Sequence, residues 1–130
     1  MIYKNYSETA LLLAQKITEN FDKNFSLTYI SSESKDFAQK VADNLNTKLI
    51  DMVNPQNLII IDNGSTLAIE YDEFTDEIRK KHPTTKIIIA VPIIPESEIE
   101  ILSKNCDTLL YLHRDPFFFS LDQFYQEHNF

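Results

Sequence analysis

Residues 58–66 read Leu-Ile-Ile-Ile-Asp-Asn-Gly-Ser-Thr, an unbroken apolar run followed by an acid, a glycine and two hydroxyls. A continuous apolar strand is typical of a parallel sheet that is covered on both faces. Loops at the carboxyl ends of such strands converge at one edge, where α/β proteins commonly hold ligands. Gly64 is the one glycine in 130 residues, so the chain keeps a glycine only here. The stretch therefore predicts an α/β fold with a ligand site directly after this strand.

Segments of helical and strand-like pattern alternate along the rest of the chain. The predicted helices are 7–22, one that starts at 31–34, 67–81 and one that begins at Pro95. The predicted strands are 25–30, 48–52, 58–61, 86–91 and 109–112. This alternation predicts one domain over residues 1–130, a three-layer doubly wound parallel sheet. The ligand edge would then comprise 31–35, 62–68, 92–95 and 113–116.

Local signals refine this outline at three places. Ser7 is the predicted N-cap of the first helix. Asn54-Pro55 predicts a turn. The aromatic tail over 116–130 is expected to pack back on the sheet and close the core, and a homodimer through its aromatic residues is a second hypothesis.

Charge and cysteine content exclude several classes of protein. The formal net charge of −8 argues against nucleic-acid partners and discourages highly anionic ligands, because both need concentrated cations. Cys106 is the single cysteine, so no disulfide can form within the chain. We see no membrane span and no signal peptide, and expect a cytoplasmic protein without membrane partners. The three histidines have no metal-ligand spacing, and no metal site is assigned.

The loop after the central strand is the candidate ligand site. Its residues are Asp62, Asn63, Gly64, Ser65 and Thr66. Gly64 allows a positive φ and lets a phosphate approach backbone N–H groups that open the next helix. Asp62 could accept hydrogen bonds from ribose hydroxyls. The alternative is a plain strand-to-helix turn in which Asp62 or Ser65 is a cap.

Three stretches of the chain resemble the type I phosphoribosyltransferases, in particular a small bacterial group of predicted members. They are 59–64 at the place of the phosphoribosyl-pyrophosphate (PRPP) loop, 88–92 with Pro95-Glu96 and then Cys106-Asp107, and the aromatic tail at 116–118 and 123–125. The resemblance covers most of the chain. It implies a phosphoribosyltransferase core, and Mg²⁺ as cofactor only if PRPP binds.

The chain departs from the family pattern at both phosphate-binding loops. In the first loop, Asn63 replaces the second acid, Leu67 and Ala68 remove a hydroxyl and a flexible point, and Glu70 adds negative charge. The position of the pyrophosphate loop holds Ser31, Ser32, Glu33, Ser34 and Lys35, with no arginine. Residues 53–57 are too few for the family's flexible lid or its hood.

These departures predict a degenerate, non-catalytic phosphoribosyltransferase-like domain that binds a phosphorylated ribose or nucleotide at 62–68. No catalytic residue is assigned. Two alternatives stay open on the sequence. One is an active, specialised phosphoribosyltransferase that uses PRPP. The other is a receiver-like signalling or partner-binding module, in which Asp62 is the phospho-acceptor and residues 113–117 form its basic turn.

Overall fold

A computed structural model of the chain describes residues 2–21, 24–50, 56–127 and 130. Helices and strands alternate through the described residues. The helices are α1 (Tyr6–Phe21), α2 (Lys35–Asn44), α3 (Ala68–Lys81) and α4 (Ile99–Lys104). The strands are β1 (Ser26–Tyr29), β2 (Asn57–Ile61), β3 (Lys86–Pro95) and β4 (Thr108–Asp115). Short 3₁₀ helices span Ser32–Ser34, Glu96–Glu98 and Leu121–Phe124.

The four strands form one parallel sheet in the order β1-β2-β3-β4. Leu27 in β1 pairs with Ile59 in β2, and its other edge forms a parallel bridge to Leu49. The chain therefore crosses to one side of β1 and then to the other, which makes the carboxyl ends of β1 and β2 a topological switch point. The predicted strand at 48–52 is reduced to this bridge, and its residues 51 and 52 lie outside the described part, as does the predicted turn at Asn54-Pro55.

Both faces of the sheet are covered, because alternate residues of its strands enter different cores. Ile59 and Ile61 pack with α1 and α2, whereas Leu58 and Ile60 pack with residues of α3 and α4. All four of these side chains are fully buried. The predicted three-layer α/β fold is confirmed. No helix of the described residues has the length and apolar character needed to cross a membrane.

The predicted start of the first helix and the predicted end of β3 were both wrong, and each error has a local structural cause. The first helix starts at Tyr6, and Asn5 is its cap, since Asn5 Oδ1 accepts a hydrogen bond from the Glu8 N–H at 3.1 Å. Ser7 is exposed instead. β3 continues to Pro95, so 92–95 is strand and not loop. Pro92 is tolerated because it lies beyond the last bond between β2 and β3, from Asp62 N to Ala90 O.

The fourth strand is also longer than predicted. β4 runs to Asp115 because residues 113–115 pair with the extended end of β3, with His113 opposite Ile93. His113 Nε2 also lies 3.1 Å from Asp115 Oδ2. That contact, followed by a hydrogen bond from the Phe117 N–H, holds the pKa of Asp115 below its ordinary value. The predicted ligand loop at 113–116 is therefore mostly strand.

The C-terminal tail divides into a packed part and an exposed part. Phe124 and Tyr125 are buried in a third cluster with Tyr3 and Ile93, as core closure predicts. Backbone bonds from Tyr3 N to Phe124 O (2.8 Å) and from Gln126 N to Tyr3 O (2.9 Å) join the tail to the N-terminus. Phe117 and Phe119, in contrast, are 70% and 84% exposed.

Candidate functional site

The two loops predicted to bind phosphate groups meet at the switch point of the sheet. The 3₁₀ helix Ser32–Ser34 follows β1, and the loop 62–67 follows β2. Ser34 Oγ donates a hydrogen bond to Asp62 Oδ1. Asn63 Nδ2 donates to the Glu33 carbonyl at 3.3 Å. The fold therefore brings the predicted residues together, but through bonds that the two loops make to each other.

Asp62 is buried behind the loop and has no unused oxygen. It is 1% exposed. Besides Ser34, Oδ1 accepts from Thr66 Oγ1 at 2.8 Å, while Oδ2 accepts from Tyr71 Oη at 2.8 Å and from the Gly64 N–H at 3.2 Å. A carboxylate has about four lone-pair positions. Its hydrogen-bonding capacity is therefore satisfied within the protein, without a ribose.

Asn63 is used in the same way. Its amide nitrogen donates to Tyr6 Oη at 3.0 Å and to the Glu33 carbonyl. Its Oδ1 accepts from the N–H and the hydroxyl of Ser65, at 2.9 and 2.6 Å. Asn63 and Thr66 are buried, and only Ser65 of the five predicted residues is exposed. The loop is thus held by its own side chains.

Backbone N–H groups at the start of α3 donate to side chains of the same protein. Those of Gly64 and Thr66 reach Asp62 Oδ2, at 3.2 and 3.4 Å, and that of Ser65 reaches Asn63. The Leu67 N–H donates to Glu70 Oε1 at 3.3 Å, and the Ala68 N–H favours the charged form of the nearby Glu98 carboxylate. The N-terminus of a helix attracts anions. Here protein carboxylates fill that role.

Gly64 is needed for the turn itself. Its φ is +106°, in the region that favours glycine. A Cβ atom placed on it would lie 3.0 Å from the Ile93 carbonyl oxygen and 3.1 Å from Leu121 Cδ2. The predicted positive φ is therefore present, and the close approach is to the protein's own β3 and tail.

An open cleft of about 540 Å³ lies on the other side of this loop. Its walls are the loop 64–67, residues Pro95, Ser97 and Glu98 after β3, and residues 118–121 of the tail. Burial raises the pKa of Glu98 above its ordinary value, the nearby Ala68 N–H lowers it in part, and the charge of Asp62 raises it again. The cleft lies at the carboxyl edge of the sheet, where the sequence predicted a ligand.

The residues at the predicted pyrophosphate position take up different roles. Ser34 is buried, and its Oγ lies 3.0 Å from Ser31 Oγ as well as bonding to Asp62. Three others are exposed, and they are Ser32, Glu33 and Lys35. The part of the loop that touches the site therefore contributes hydroxyls and no cation.

Sequence reasoning missed three contributors to the site. Tyr71 donates to Asp62 from within α3, and Glu98 reaches the start of α3 from the segment after β3. The wall at 118–121 comes from the tail. Tyr71 lies nine residues after Asp62, too far along the chain for a local pattern to pair them. Glu70, however, stands at the α3 N-terminus, as its position in the sequence predicted.

Comparison with known proteins places this geometry in a known fold. No protein-family model and no curated protein sequence matches the chain. Among solved structures, TT1426 from Thermus thermophilus matches with a TM-score of 0.77 at 12% identity, over 99% of this chain and 92% of that chain. The orotate phosphoribosyltransferase from Aeropyrum pernix matches with a TM-score of 0.62 at 13% identity, over 82% and 70% of the two chains.

A hypoxanthine-guanine-xanthine phosphoribosyltransferase matches as well, with a TM-score of 0.54 at 12% identity, over 82% of this chain and 74% of that chain. These likenesses show that the chain has the phosphoribosyltransferase fold. At such low identity they show the fold alone. The chemistry must be argued from the residues of this chain.

Proposed function

We propose that this chain is a non-catalytic domain of phosphoribosyltransferase fold whose former phosphate loop is now a structural element. One observation carries the proposal. The N–H groups from Gly64 to Leu67 donate to Asp62, Asn63 and Glu70, so a phosphate would have to displace protein oxygens to reach them. Two of these three partners are acids, which would also repel it.

The switch point gives further support, because it offers little positive charge to a pyrophosphate group. Ser34, the buried residue of the 31–35 segment, is hydrogen-bonded to Asp62, and Glu33 is exposed beside it. Lys35 is the single cation in that segment and is also exposed. PRPP carries several negative charges, and a site that binds it needs fixed cations or a metal to offset them.

Chain length supports the same proposal. Leu49 bridges to β1 and β2 begins at Asn57, so only residues 50–56 separate them. A lid that excludes water during transfer would have to come from this segment, which is too short, or from another loop. Without such a lid, transfer of a ribosyl group to a base would compete poorly with hydrolysis.

The receiver-like alternative finds less support at Asp62. A phospho-acceptor needs a carboxylate oxygen that is open to the incoming phosphoryl group. Asp62 is 1% exposed and both oxygens accept hydrogen bonds. Phosphorylation there would require the loop, Ser34 and Tyr71 to rearrange together.

PRPP binding and turnover test the proposal directly. We expect no saturable heat when PRPP and Mg²⁺ are titrated into the protein, and no pyrophosphate release with purine or pyrimidine bases. The melting temperature should also stay unchanged, since a ligand that binds only the native state raises it. Turnover with any base would overturn the proposal, and micromolar binding without turnover would show that the loop still accepts a phosphorylated ribose.

Self-association through the tail is a separate proposal, and the fold leaves two exposed tail phenylalanines as candidate contact residues. Phe124 and Tyr125 are buried within the same chain, whereas Phe117 and Phe119 are exposed and could anchor a second copy. Light scattering at increasing protein concentration tests this. A monomeric mass throughout would remove the homodimer hypothesis.

A further inference from the structure

The cleft beside the former phosphate loop has the size and lining of a small-molecule site. Its volume of about 540 Å³ falls within the range of ligand pockets, roughly 300–1,000 Å³. Leu67 and Phe119 come from different walls of the cleft, the loop and the tail, and are 60% and 84% exposed. Large apolar side chains at such exposure around one concave surface are a mark of a binding site.

The cleft has few polar groups, and the one charged side chain among them is negative. Glu98 is the only charged residue among the described residues that line it, and the others with polar side chains are hydroxyls of serine and threonine. Arg114, on β4, is paired with Glu96 at 3.8 Å and does not line the cleft.

Electrostatics at the cleft are therefore opposite to those of a phosphate site. An anion would meet Glu98, with Glu70 at the same helix terminus, and would find the loop N–H groups already bonded. A cation would meet a carboxylate and the aromatic ring of Phe119. The net charge of −8 adds a long-range attraction for cations.

We propose that this cleft binds a small organic cation with a flat apolar body, with its ammonium group near Glu98 and its apolar part against Leu67 and Phe119. Ring packing against Phe119 would hold the body, and hydroxyls such as those of Ser65 and Ser97 could accept further N–H bonds from the ammonium group. This proposal goes beyond the proposed loss of phosphate binding. It rests on that proposed function only in one respect, that the loop N–H groups are already hydrogen-bonded within the protein.

Three probes that share one ring and differ in charge test the proposal. Benzylammonium, benzyl alcohol and benzoate are titrated separately, and binding is followed by ¹H–¹⁵N NMR. We expect benzylammonium to bind most tightly and benzoate about tenfold more weakly or not at all, with shifts at Leu67 and Ser120. Benzoate binding as tightly as benzylammonium, or no binding of benzylammonium, would overturn the proposal.

Matched variants locate the site without disturbing the core. Phe119→Ala should weaken benzylammonium about two- to fivefold, whereas Phe117→Ala, also exposed but outside the cleft, should leave it unchanged. Glu98→Gln should weaken benzylammonium by a similar factor and leave benzyl alcohol unchanged. If both phenylalanine variants weakened benzylammonium binding equally, the placement of the site in this cleft would be contradicted. PRPP turnover is measured independently, so the two proposals can fail separately.

Discussion

Asp62 shows how a residue placed for ligand chemistry can become a structural centre. It ends a buried strand, and three hydroxyls together with two N–H groups donate to its two oxygens. Hydrogen bonds to a buried charge are stronger than neutral ones. The carboxylate therefore joins the segment after β1, the end of β2 and α3 at the switch point.

Replacement of Asp62 should consequently destabilise the protein. Asp62→Asn removes the charge and turns one acceptor into a donor that faces Tyr71 or Ser34, which should cost about 1–3 kcal/mol in the free energy of unfolding. Urea denaturation measures this cost, with Asp76→Asn on the exposed side of α3 as the control. An Asp62 kept for a ligand would give the opposite result, an unchanged or raised stability.

Gly64 provides a second test at the same loop. Gly64→Ala would force a Cβ onto a residue with φ +106° and against the Ile93 carbonyl, so we expect a loss of about 1–3 kcal/mol. Thermal unfolding in the absence of any ligand measures it. Ser97→Ala, at an exposed residue of the facing cleft wall, serves as a control that adds no backbone strain. An unchanged melting temperature for Gly64→Ala would show that the turn does not need glycine.

Tyr71 predicts a dependence of stability on alkaline pH. Burial first, and then the charge of Asp62, raise the pKa of Tyr71 well above its ordinary value. A raised pKa in the folded state means that its stabilising contribution is complete below about pH 10 and is lost as pH rises further. The difference in unfolding free energy between wild type and Tyr71→Phe should therefore be largest near pH 7 and shrink above pH 10. Parallel pH curves would contradict this account.

The sequence predicted some of these residues and not others for physical reasons. Asp62 and Gly64 follow an apolar strand, and that local pattern is sufficient to place them at a sheet edge. Tyr71 and Glu98 contact the loop only because α3 and the segment after β3 pack across it. From the sequence alone, Tyr71 looks like an ordinary helical residue, and Glu98 looks like an ordinary surface acid.

At the scale of elements, helices were easier to place than strand ends. The helix predicted at 67–81 lies at Ala68–Lys81, since the polar loop 62–66 and Pro83 mark its two ends. β3 and β4 exceeded their predicted lengths because they extend each other beyond the edge of β2, through pairs such as Ile94 with Arg114. Such mutual extension depends on tertiary pairing and leaves no local signal.

The tail gives the element-scale prediction, because its aromatic residues divide between core and surface. Phe124→Ala should cost about 3–5 kcal/mol, since Phe124 is 3% exposed and packs with Tyr3 and Ile93. Phe119→Ala should change stability by no more than about 0.5 kcal/mol. Urea denaturation of the two variants decides. Similar costs for both would mean that the tail does not close the core in this way.

For the whole molecule, the alternation of strands and helices was sufficient to predict the three-layer sheet. The likeness to phosphoribosyltransferase structures holds at 12–13% identity, which means that the fold is kept by apolar pattern and topology. The site could be located but not interpreted in full from the sequence, because the partners of the loop N–H groups depend on contacts between distant segments.

The central claim is that the donors of the former phosphate loop are occupied by the protein itself. Gly64 is the only glycine, and glycine amides resonate apart from others in ¹⁵N, so its N–H gives an isolated signal. We predict that this signal does not move when inorganic phosphate, or PRPP with Mg²⁺, is titrated into the protein, because the N–H keeps its bond to Asp62. A saturable shift of the Gly64 signal with either anion would contradict the account.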